Sequence, residues 1–222
     1  MKTYFKILIT VIALSISTSM IQAQTKLTEG SVVFSITMTD NDLDPQIASM
    51  MPKEMTLTFK GDKSKTDMKM GMGTIIVLYD DKAKFATTLM DMMGQKTAIK
   101  ISEADMEKEK GKQPKTTVKN LEETKVICGY TCHKAELTIE GEKEKQIVYY
   151  TKDIVAKNSQ AQKGGLKGLD GFPMEYVISM QGMGMKMTAK TVSKDKLEDA
   201  VFKIPEGYKE MTMDEAKKMG GH

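Results

Sequence analysis

Short stretches in which apolar and polar residues alternate run through most of the chain beyond residue 30. This period-two pattern predicts strands, because successive side chains on a strand point to opposite faces. Turn residues such as Gly61-Asp62, Asp80-Asp81 and Met93-Gly94 separate the stretches, and Gln181-Gly182 turns the last hairpin. About ten short strands are predicted, over 31–38, 55–59, 65–70, 74–79, 84–90, 96–101, 124–127, 132–139, 145–151, 174–180 and 185–193.

Two or three short helices are predicted beside these strands. Asp44 is a typical N-cap before Pro45, and Ser102 is an N-cap for a helix over 102–110. Thr212 and Glu215 have the spacing of a capping box before a last short helix. The pattern predicts a mainly β (α+β) fold: a strongly curled antiparallel sheet, or unclosed β-barrel, with short lid helices over an apolar interior.

The first 23 residues have a different pattern. Lys2 and Lys6 precede an uncharged apolar stretch over 7–21, and the small residue Ala23 follows it. This order is typical of a secretory signal peptide that is cleaved after Ala23, and the stretch is too short for a stable membrane span. No cysteine follows the stretch to accept a lipid. We therefore expect a soluble, non-lipidated protein that is periplasmic or secreted.

The composition of the remaining chain disfavours several classes of protein. Removal of residues 1–23 leaves 31 lysines against 30 acidic residues, and the chain contains no arginine and no tryptophan. Nucleic-acid binding normally requires a basic surface with bidentate contacts, so it is not expected. No later apolar run is long enough to span a bilayer, and no nucleophile elbow or zinc-ligand spacing occurs. We expect one domain over 24–210, a short C-terminal helix or tail over 211–222, no cofactor and no enzymatic activity.

Methionine is the unusual component, with 21 residues in the chain. Residues 68–72 and 183–187 each carry methionine at every second position, which on a strand places the three thioethers on one face. Three interpretations remain open: ordinary core packing, the lining of a cavity for hydrophobic ligands, and a Cu(I) site. The candidate cavity-lining residues are Met68, Met70, Met72, Met90, Met93, Met183, Met185 and Met187. The alternative Cu(I) ligands are Met68, Met70, Met72, Met183, Met185, Met187 and His133.

Cys128 and Cys132 are the two cysteines of the chain. An even number of cysteines in an exported protein favours a disulfide. Residues four apart on a straight strand are about 13 Å apart, so Gly129-Tyr130 would have to turn the chain to permit a bridge. We expect a structural disulfide between Cys128 and Cys132. Free thiols, or a redox or metal role assisted by His133, are the alternatives.

Three segments carry a resemblance to a known group of proteins. They are Gly30-Ser-Val-Val-Phe34, Lys125-Val-Ile-Cys-Gly-Tyr-Thr-Cys132 and Phe202-Lys-Ile-Pro-Glu-Gly-Tyr208. Together they resemble an uncharacterised family of exported bacterial proteins that is distantly similar to the LolA, LolB and LppX lipoprotein-carrier superfamily. The resemblance implies an unclosed β-barrel with lid helices over a hydrophobic cavity, and a lipid or acyl-chain ligand. The LolA carriers are usually discussed with an arginine that gates the lid, and this chain has none.

These observations lead to a functional hypothesis. We expect a soluble periplasmic binding protein that holds a hydrophobic small molecule or lipid against methionine-lined strands. The resemblance leaves open a transient contact with envelope lipoproteins or with a membrane surface. The alternatives are a methionine-rich periplasmic Cu(I)-binding protein and a structural envelope protein with no small ligand.

Overall fold

The computed structural model describes residues 26–39, 44–111, 114–142, 144–156, 166, 168–180 and 183–220. The segment expected to be a signal peptide and the expected turn at Gln181-Gly182 lie outside the described residues. The strands are β1 (Glu29–Met38), β2 (Glu54–Lys60), β3 (Lys63–Met70), β4 (Gly73–Asp80), β5 (Phe85–Met92), β6 (Gln95–Ser102), β7 (Thr116–Ile127), β8 (Tyr130–Ile139), β9 (Gln146–Thr151), β10 (Phe172–Met180), β11 (Met183–Ser193) and β12 (Lys209–Thr212). The helices are α1 (Pro45–Met50), α2 (Glu103–Gly111) and α3 (Met213–Gly220), and a 3₁₀ turn spans Asp199–Phe202.

The twelve strands form one sheet in the order β12-β6-β5-β4-β3-β2-β1-β11-β10-β9-β8-β7. In the part of the chain that the structure describes, β12 and β7 form its two edges, so the sheet is unclosed. The predicted mainly β architecture is confirmed, but the wholly antiparallel pattern is not, because β12 runs parallel to β6. A parallel neighbour cannot be reached through a hairpin. The chain reaches β12 by crossing the sheet after β11.

Aromatic contacts show that the sheet curls. Phe59 on β2 and Phe172 on β10 lie three strand positions apart, which in a flat sheet corresponds to about 14 Å. Their ring centroids are only 6.3 Å apart, and those of Phe34 and Phe172 are 6.2 Å apart. These side chains therefore point into the interior of a curl, and we call the face that carries them the inner face.

The interior is filled where β1, β2 and β8–β11 meet. Phe34 packs edge-on against Tyr176 with ring centroids 5.9 Å apart, and Phe172, Met174 and Leu137 are fully buried nearby. Each such side chain stabilises the fold by about 1.5–3 kcal/mol. Because these residues come from strands that are distant in sequence, the core exists only when the sheet is curled.

The opposite, outer face of β7–β11 is charged. The ammonium group of Lys125 lies 2.9 Å from the carboxylate of Glu175, and Lys186 lies 3.3 Å from the same carboxylate. Lys134 donates a hydrogen bond of 2.6 Å to Glu123. Pairs of this kind that remain in contact with water contribute little stability, typically less than about 1 kcal/mol each. These pairs make the outer face of β7–β11 polar, and the apolar side chains of the same strands lie on the inner face.

A second, smaller core lies on the outer face of β4–β6. Leu78, Leu89 and Ala98 are buried there, and Ile204 and Tyr208 pack against them. These two residues belong to the segment that connects β11 to β12, residues 194–208, which we call the C-terminal crossing. The outer face of this half of the sheet is thus covered by the chain itself, whereas its inner face is not part of either core.

The helices lie at the margins of the sheet. The Asp44 carboxylate accepts a hydrogen bond of 2.7 Å from the Gln46 amide at the start of α1, and Gly71 in the β3–β4 turn donates one of 3.2 Å to the Met50 carbonyl. The principal contacts of α2 and α3 are with β6 and β12 at one edge. The expected lid over the inner face is therefore not formed by α2 and α3. Among the described residues, no helix is long and apolar enough to cross a membrane.

Candidate functional site

A row of apolar side chains crosses the inner face of β2–β5. The register aligns Met55 on β2 with Met68 on β3, Met68 with Ile75 on β4, and Ile75 with Met90 on β5. Directly opposed residues on antiparallel strands have Cβ atoms about 4.5–5.5 Å apart, so neighbouring side chains of the row touch or nearly touch. Phe34 on β1 is opposed to Met55, which joins the row to the filled core. The row from Met55 to Met90 spans three interstrand spacings, about 14 Å.

A second row runs parallel to the first, nearer the turns. Met70 on β3 is opposed to Gly73 on β4, and Gly73 to Met92 on β5. A Cβ atom at Gly73 would lie 2.7 Å from the sulfur of Met92. The missing side chain therefore gives the Met92 thioether space to lie along the sheet.

These side chains are only half-buried, in contrast to the fully buried residues of the core. A filled interior would exclude water from them, so their partial exposure shows an apolar surface that the described residues cover only in part. We call this surface the methionine strip. It consists of Ile36, Met38, Met55, Met68, Met70, Ile75, Met90, Met92 and Met183.

The structure separates the first predicted methionine run. Met68 and Met70 lie on β3 and belong to the strip, but the strand ends at Met70. Met72 therefore lies in the two-residue turn and is 52% exposed. The expectation that all three side chains share one strand face is wrong at Met72, because a hairpin turn begins within the run.

The second methionine run, residues 183–187, is divided between the strip and the filled core. Met183 is half-buried and belongs to the strip, whereas Met185 and Met187 are 3% and 1% exposed. Met187 is opposed to Ile36 on one side and to Tyr176 on the other, within the filled core. Met185 and Met187 therefore have the packing role that was one of the three interpretations.

The last two candidate cavity-lining residues, Met90 and Met93, lie in different environments. Met90 lies in the first row of the strip. Met93 occupies the β5–β6 turn, where its φ of 54° and that of 84° at Gly94 match the two positive angles of a type I′ turn. Its side chain is 88% exposed, so Met93 does not line the inner face.

Sequence reasoning missed five members of the strip. Ile36, Met38, Met55, Ile75 and Met92 lie outside the two runs, and only the strand register brings them beside Met68 and Met90. The sequence does place Met55 on the apolar face of a strand, because the clean alternation of residues 55–59 begins with it. Its neighbours across the sheet cannot be read from that alternation.

The expected disulfide is not formed, and Cys128 and Cys132 are free thiols. Cys128 and Gly129 are the two central residues of the β7–β8 turn, with φ of 51° and 79°. This tight turn returns Cys132 into β8 opposite Lys125, while Cys128 donates a hydrogen bond of 3.3 Å to the Ala189 carbonyl. Burial raises the pKa of both thiols, that of Cys132 to about 11. Thiols of raised pKa are poor nucleophiles at neutral pH.

The residues of the Cu(I) alternative are spread over the fold. Met68 and Met70 lie on β3, Met187 lies in the core on β11, and His133 lies on β8, six positions from β3 in the sheet order. The His133 ring packs beside Tyr150 with centroids 5.8 Å apart. Within the described ranges, no group of three or more His, Cys, Asp or Glu side chains has the arrangement of a metal site.

Among the described residues, the strip is a partly exposed surface of the inner face. The described part of the chain has pockets of about 490 Å³ and about 290 Å³ near β5 and β6. No residue of the strip lines either of them. A ligand of the strip would therefore be held along one side of the curl and would remain in contact with water on the other.

Comparison with known proteins identifies the family. The model of the DUF4412 family, described as a domain of unknown function, matches residues 36–208. The chain belongs to this family, which confirms the expected membership of an uncharacterised domain family. No curated protein matches the sequence.

The chain is similar to several solved structures at low sequence identity. PNGF-II in its C2 crystal form has a TM-score of 0.51 and 14% identity over 86% of this chain and 32% of its own length. The P21 form has a TM-score of 0.49 and 14% identity over 86% of this chain and 33% of its own. The chain thus spans about a third of the PNGF-II structures that it matches. LprF from Mycobacterium bovis has a TM-score of 0.31 and 12% identity, over 76% of this chain and 88% of its own.

Proposed function

We propose that this protein is an exported, periplasmic or secreted binding protein that holds a hydrophobic ligand, such as a lipid or acyl chain, on the methionine strip, and that it is not an enzyme. One observation carries the proposal: Met55, Met68, Ile75 and Met90 are consecutive cross-strand neighbours that stay partly exposed on the inner face. Contiguous apolar surface of this kind on a protein commonly marks a binding site.

Methionine suits such a site because its side chain is unbranched and polarizable. It adapts to ligands of irregular shape, which rigid Leu or Ile side chains do not. The strip combines seven methionine side chains with a wall formed by the core at Phe34. This arrangement favours a flexible ligand without a fixed shape and disfavours one that needs several directed hydrogen bonds.

Because a ligand on the strip would keep one side in water, only part of its surface would contribute to the binding affinity. A chain of about sixteen methylenes with half of its surface against the protein gains about 6 kcal/mol, at ~0.8 kcal/mol per fully buried methylene. That gain corresponds to a dissociation constant of the order of 10–100 µM, before the cost of ordering the chain. The ordering cost weakens binding further, so we expect reversible binding with a dissociation constant no lower than about 10 µM, which suits a carrier more than a permanent lipid store.

Matched charge substitutions test the proposal. Met68→Lys and Met90→Lys place an ammonium group on the strip, and Met72→Lys and Met93→Lys place the same group in adjacent exposed turns. Titration of the purified mature protein with the fluorescent fatty acid cis-parinarate should give saturable binding. We expect the first two variants to bind at least about tenfold more weakly, because a bound acyl chain would desolvate the charge. The two turn variants should bind like the wild type.

Two results would contradict the proposal. One is the absence of saturable parinarate binding, which supports a structural protein with no small ligand. The other is equal loss of binding in strip and turn variants that retain wild-type thermal stability.

A further inference from the structure

Met72 and Met93 belong neither to the filled core nor to the methionine strip. Met72 lies in the turn between β3 and β4 and is 52% exposed, and Met93 lies in the turn between β5 and β6 and is 88% exposed. Tight turns normally carry small or polar residues, and a large apolar side chain that stays in water gains little from burial. Packing alone therefore does not account for methionine at these two positions.

The two turns lie next to each other at one end of the sheet. β4 pairs with β3 on one side and with β5 on the other, so both turns meet at the start of β4. The Met93 amide donates a hydrogen bond of 3.4 Å to the Met72 carbonyl, which joins the turns directly. The side chains of Met72 and Met93 therefore start from neighbouring positions of the backbone.

Two further methionines flank the same turns. Met70 is the last residue of β3 and Met92 is the last residue of β5, and both are opposed to Gly73, the first residue of β4. The Met92 sulfur lies 2.7 Å from the position that a Cβ atom at Gly73 would occupy. Because glycine has no side chain, β4 places none between Met70 and this sulfur. The unbranched Met70 side chain, with its three rotatable bonds, can bring its own sulfur to the same place.

These four residues, Met70, Met72, Met92 and Met93, offer soft ligands only, and we call them the thioether cluster. Residues 70–73 and 92–95 include no charged residue, whereas the turns at the other ends of β3 and β4 include Asp62 and Asp81. Uncharged thioethers are ligands for Cu(I), while Ca²⁺ and Mg²⁺ require oxygen ligands and Zn²⁺ prefers thiolate, imidazole or carboxylate. The chemistry of the cluster therefore selects a soft monovalent cation.

We propose that the thioether cluster binds one Cu(I) ion through at least three of its four sulfur atoms. The exposed Met72 and Met93 side chains give the ion a direct route from solvent. The ligand set shares Met70 and Met72 with the one expected from the sequence, and the strand register and the bond between the turns add Met92 and Met93. Met70 and Met92 also belong to the strip, but the proposal does not rest on lipid binding there.

Methionine-to-leucine substitutions test the site, because leucine keeps the apolar volume and removes the sulfur. Competition of the full mature chain with the Cu(I) chelator bicinchoninate, in the absence of oxygen, should show one bound ion per chain. The double variants Met72→Leu/Met93→Leu and Met70→Leu/Met92→Leu each leave two sulfurs, and we expect at least about tenfold weaker Cu(I) binding in both. The control Met55→Leu/Met68→Leu, which changes two methionines of the strip outside the cluster, should bind Cu(I) like its parent.

The two free thiols require a matched background, because thiolates also bind Cu(I). All the chains in this competition therefore carry Cys128→Ser and Cys132→Ala. Titration of the wild-type chain with Ag(I), which does not change its oxidation state, locates the ion in the presence of both thiols. The ¹³C-methyl NMR signals of the four cluster methionines should shift together at a saturating Ag(I) concentration, and those of Met55 and Met187 should not.

Three results would each overturn the proposal. They are the absence of Cu(I) binding in the cysteine-free chain, equal weakening in Met55→Leu/Met68→Leu, and Ag(I) shifts that leave out Met72 and Met93. Binding of parinarate should be unchanged in all three double variants, because leucine keeps the strip apolar. Failure of the Cu(I) site is therefore seen independently of failure of the proposed lipid binding.

Discussion

Three methionines with similar local sequence should respond very differently to truncation. Met187→Ala removes a side chain that is 1% exposed between Ile36 and Tyr176. Truncation of a buried Met to Ala costs about 2–5 kcal/mol, because transfer energy is lost and a cavity remains. We expect about 3 kcal/mol here.

Met68→Ala should cost much less. Its side chain is half-buried on the strip, so about half of the transfer energy is lost and water fills the vacated space; we expect about 1 kcal/mol. Met72→Ala changes a turn residue that is 52% exposed, and we expect a change within about 0.5 kcal/mol.

Urea unfolding of the three ligand-free variants measures these differences, provided that the m-value stays constant. A cost for Met68→Ala equal to that for Met187→Ala would show that the strip is packed core, and it would refute the assignment of the strip as an open surface.

Further predictions concern the curl, the thiols and Thr87. Phe172→Ala should lower the free energy of unfolding by about 4 kcal/mol, whereas the exposed Phe85→Ala should cost less than about 1 kcal/mol; similar thermal melting of the two variants would argue against the curled core. Unfolding without reductant should allow alkylation of both Cys128 and Cys132, as counted by mass spectrometry, and a requirement for reductant would reveal a disulfide. Burial raises the pKa of Cys132 to about 11, while the unfolded thiol ionises near pH 9.0. The contribution of the Cys132 thiol to the free energy of unfolding should therefore be constant below pH 9 and fall by about 2 kcal/mol as the pH rises to 11, because in this range the unfolded chain releases the proton more readily than the folded one. The variant Cys132→Ala should lose less stability over the same pH range, and a loss equal to that of the wild type would contradict this prediction. Thr87→Val removes a fully buried hydroxyl that has no hydrogen-bond partner among the described residues. It should leave stability unchanged or raise it by about 0.5 kcal/mol, and a loss above about 1 kcal/mol would show that the hydroxyl has a partner.

The alternation of residues was sufficient to predict a β-rich curled sheet, because period two and turn residues are local properties. It was not sufficient to separate Met68 from Met187, which have the same spacing. Met187 is buried between Tyr176 and Ile36 in the filled part of the curl, whereas Met68 lies between Met55 and Ile75 and is only half-buried. These partners are set by register between strands, which the local pattern does not encode.

The cysteine prediction failed for a related reason. The even number of cysteines and the expected oxidising compartment favoured a bridge, but the type I′ turn at Cys128 and Gly129 is short enough that Cys132 already belongs to the returning strand. The parallel strand β12 was missed because residues 209–212 show only four residues of pattern. Their pairing depends on the C-terminal crossing, whose contacts with the second core are long-range.

The central claim is that the methionine strip binds a hydrophobic ligand, and the methionine methyl groups themselves report on it. NMR spectra of the mature protein with ¹³C-labelled methionine methyls should be recorded during titration with cis-parinarate. We predict saturable shifts for Met55, Met68 and Met90, with Met72 and Met93 unchanged. Spectra in which no methionine of the strip shifts at saturating parinarate, or in which only the turn methionines shift, would contradict the claim.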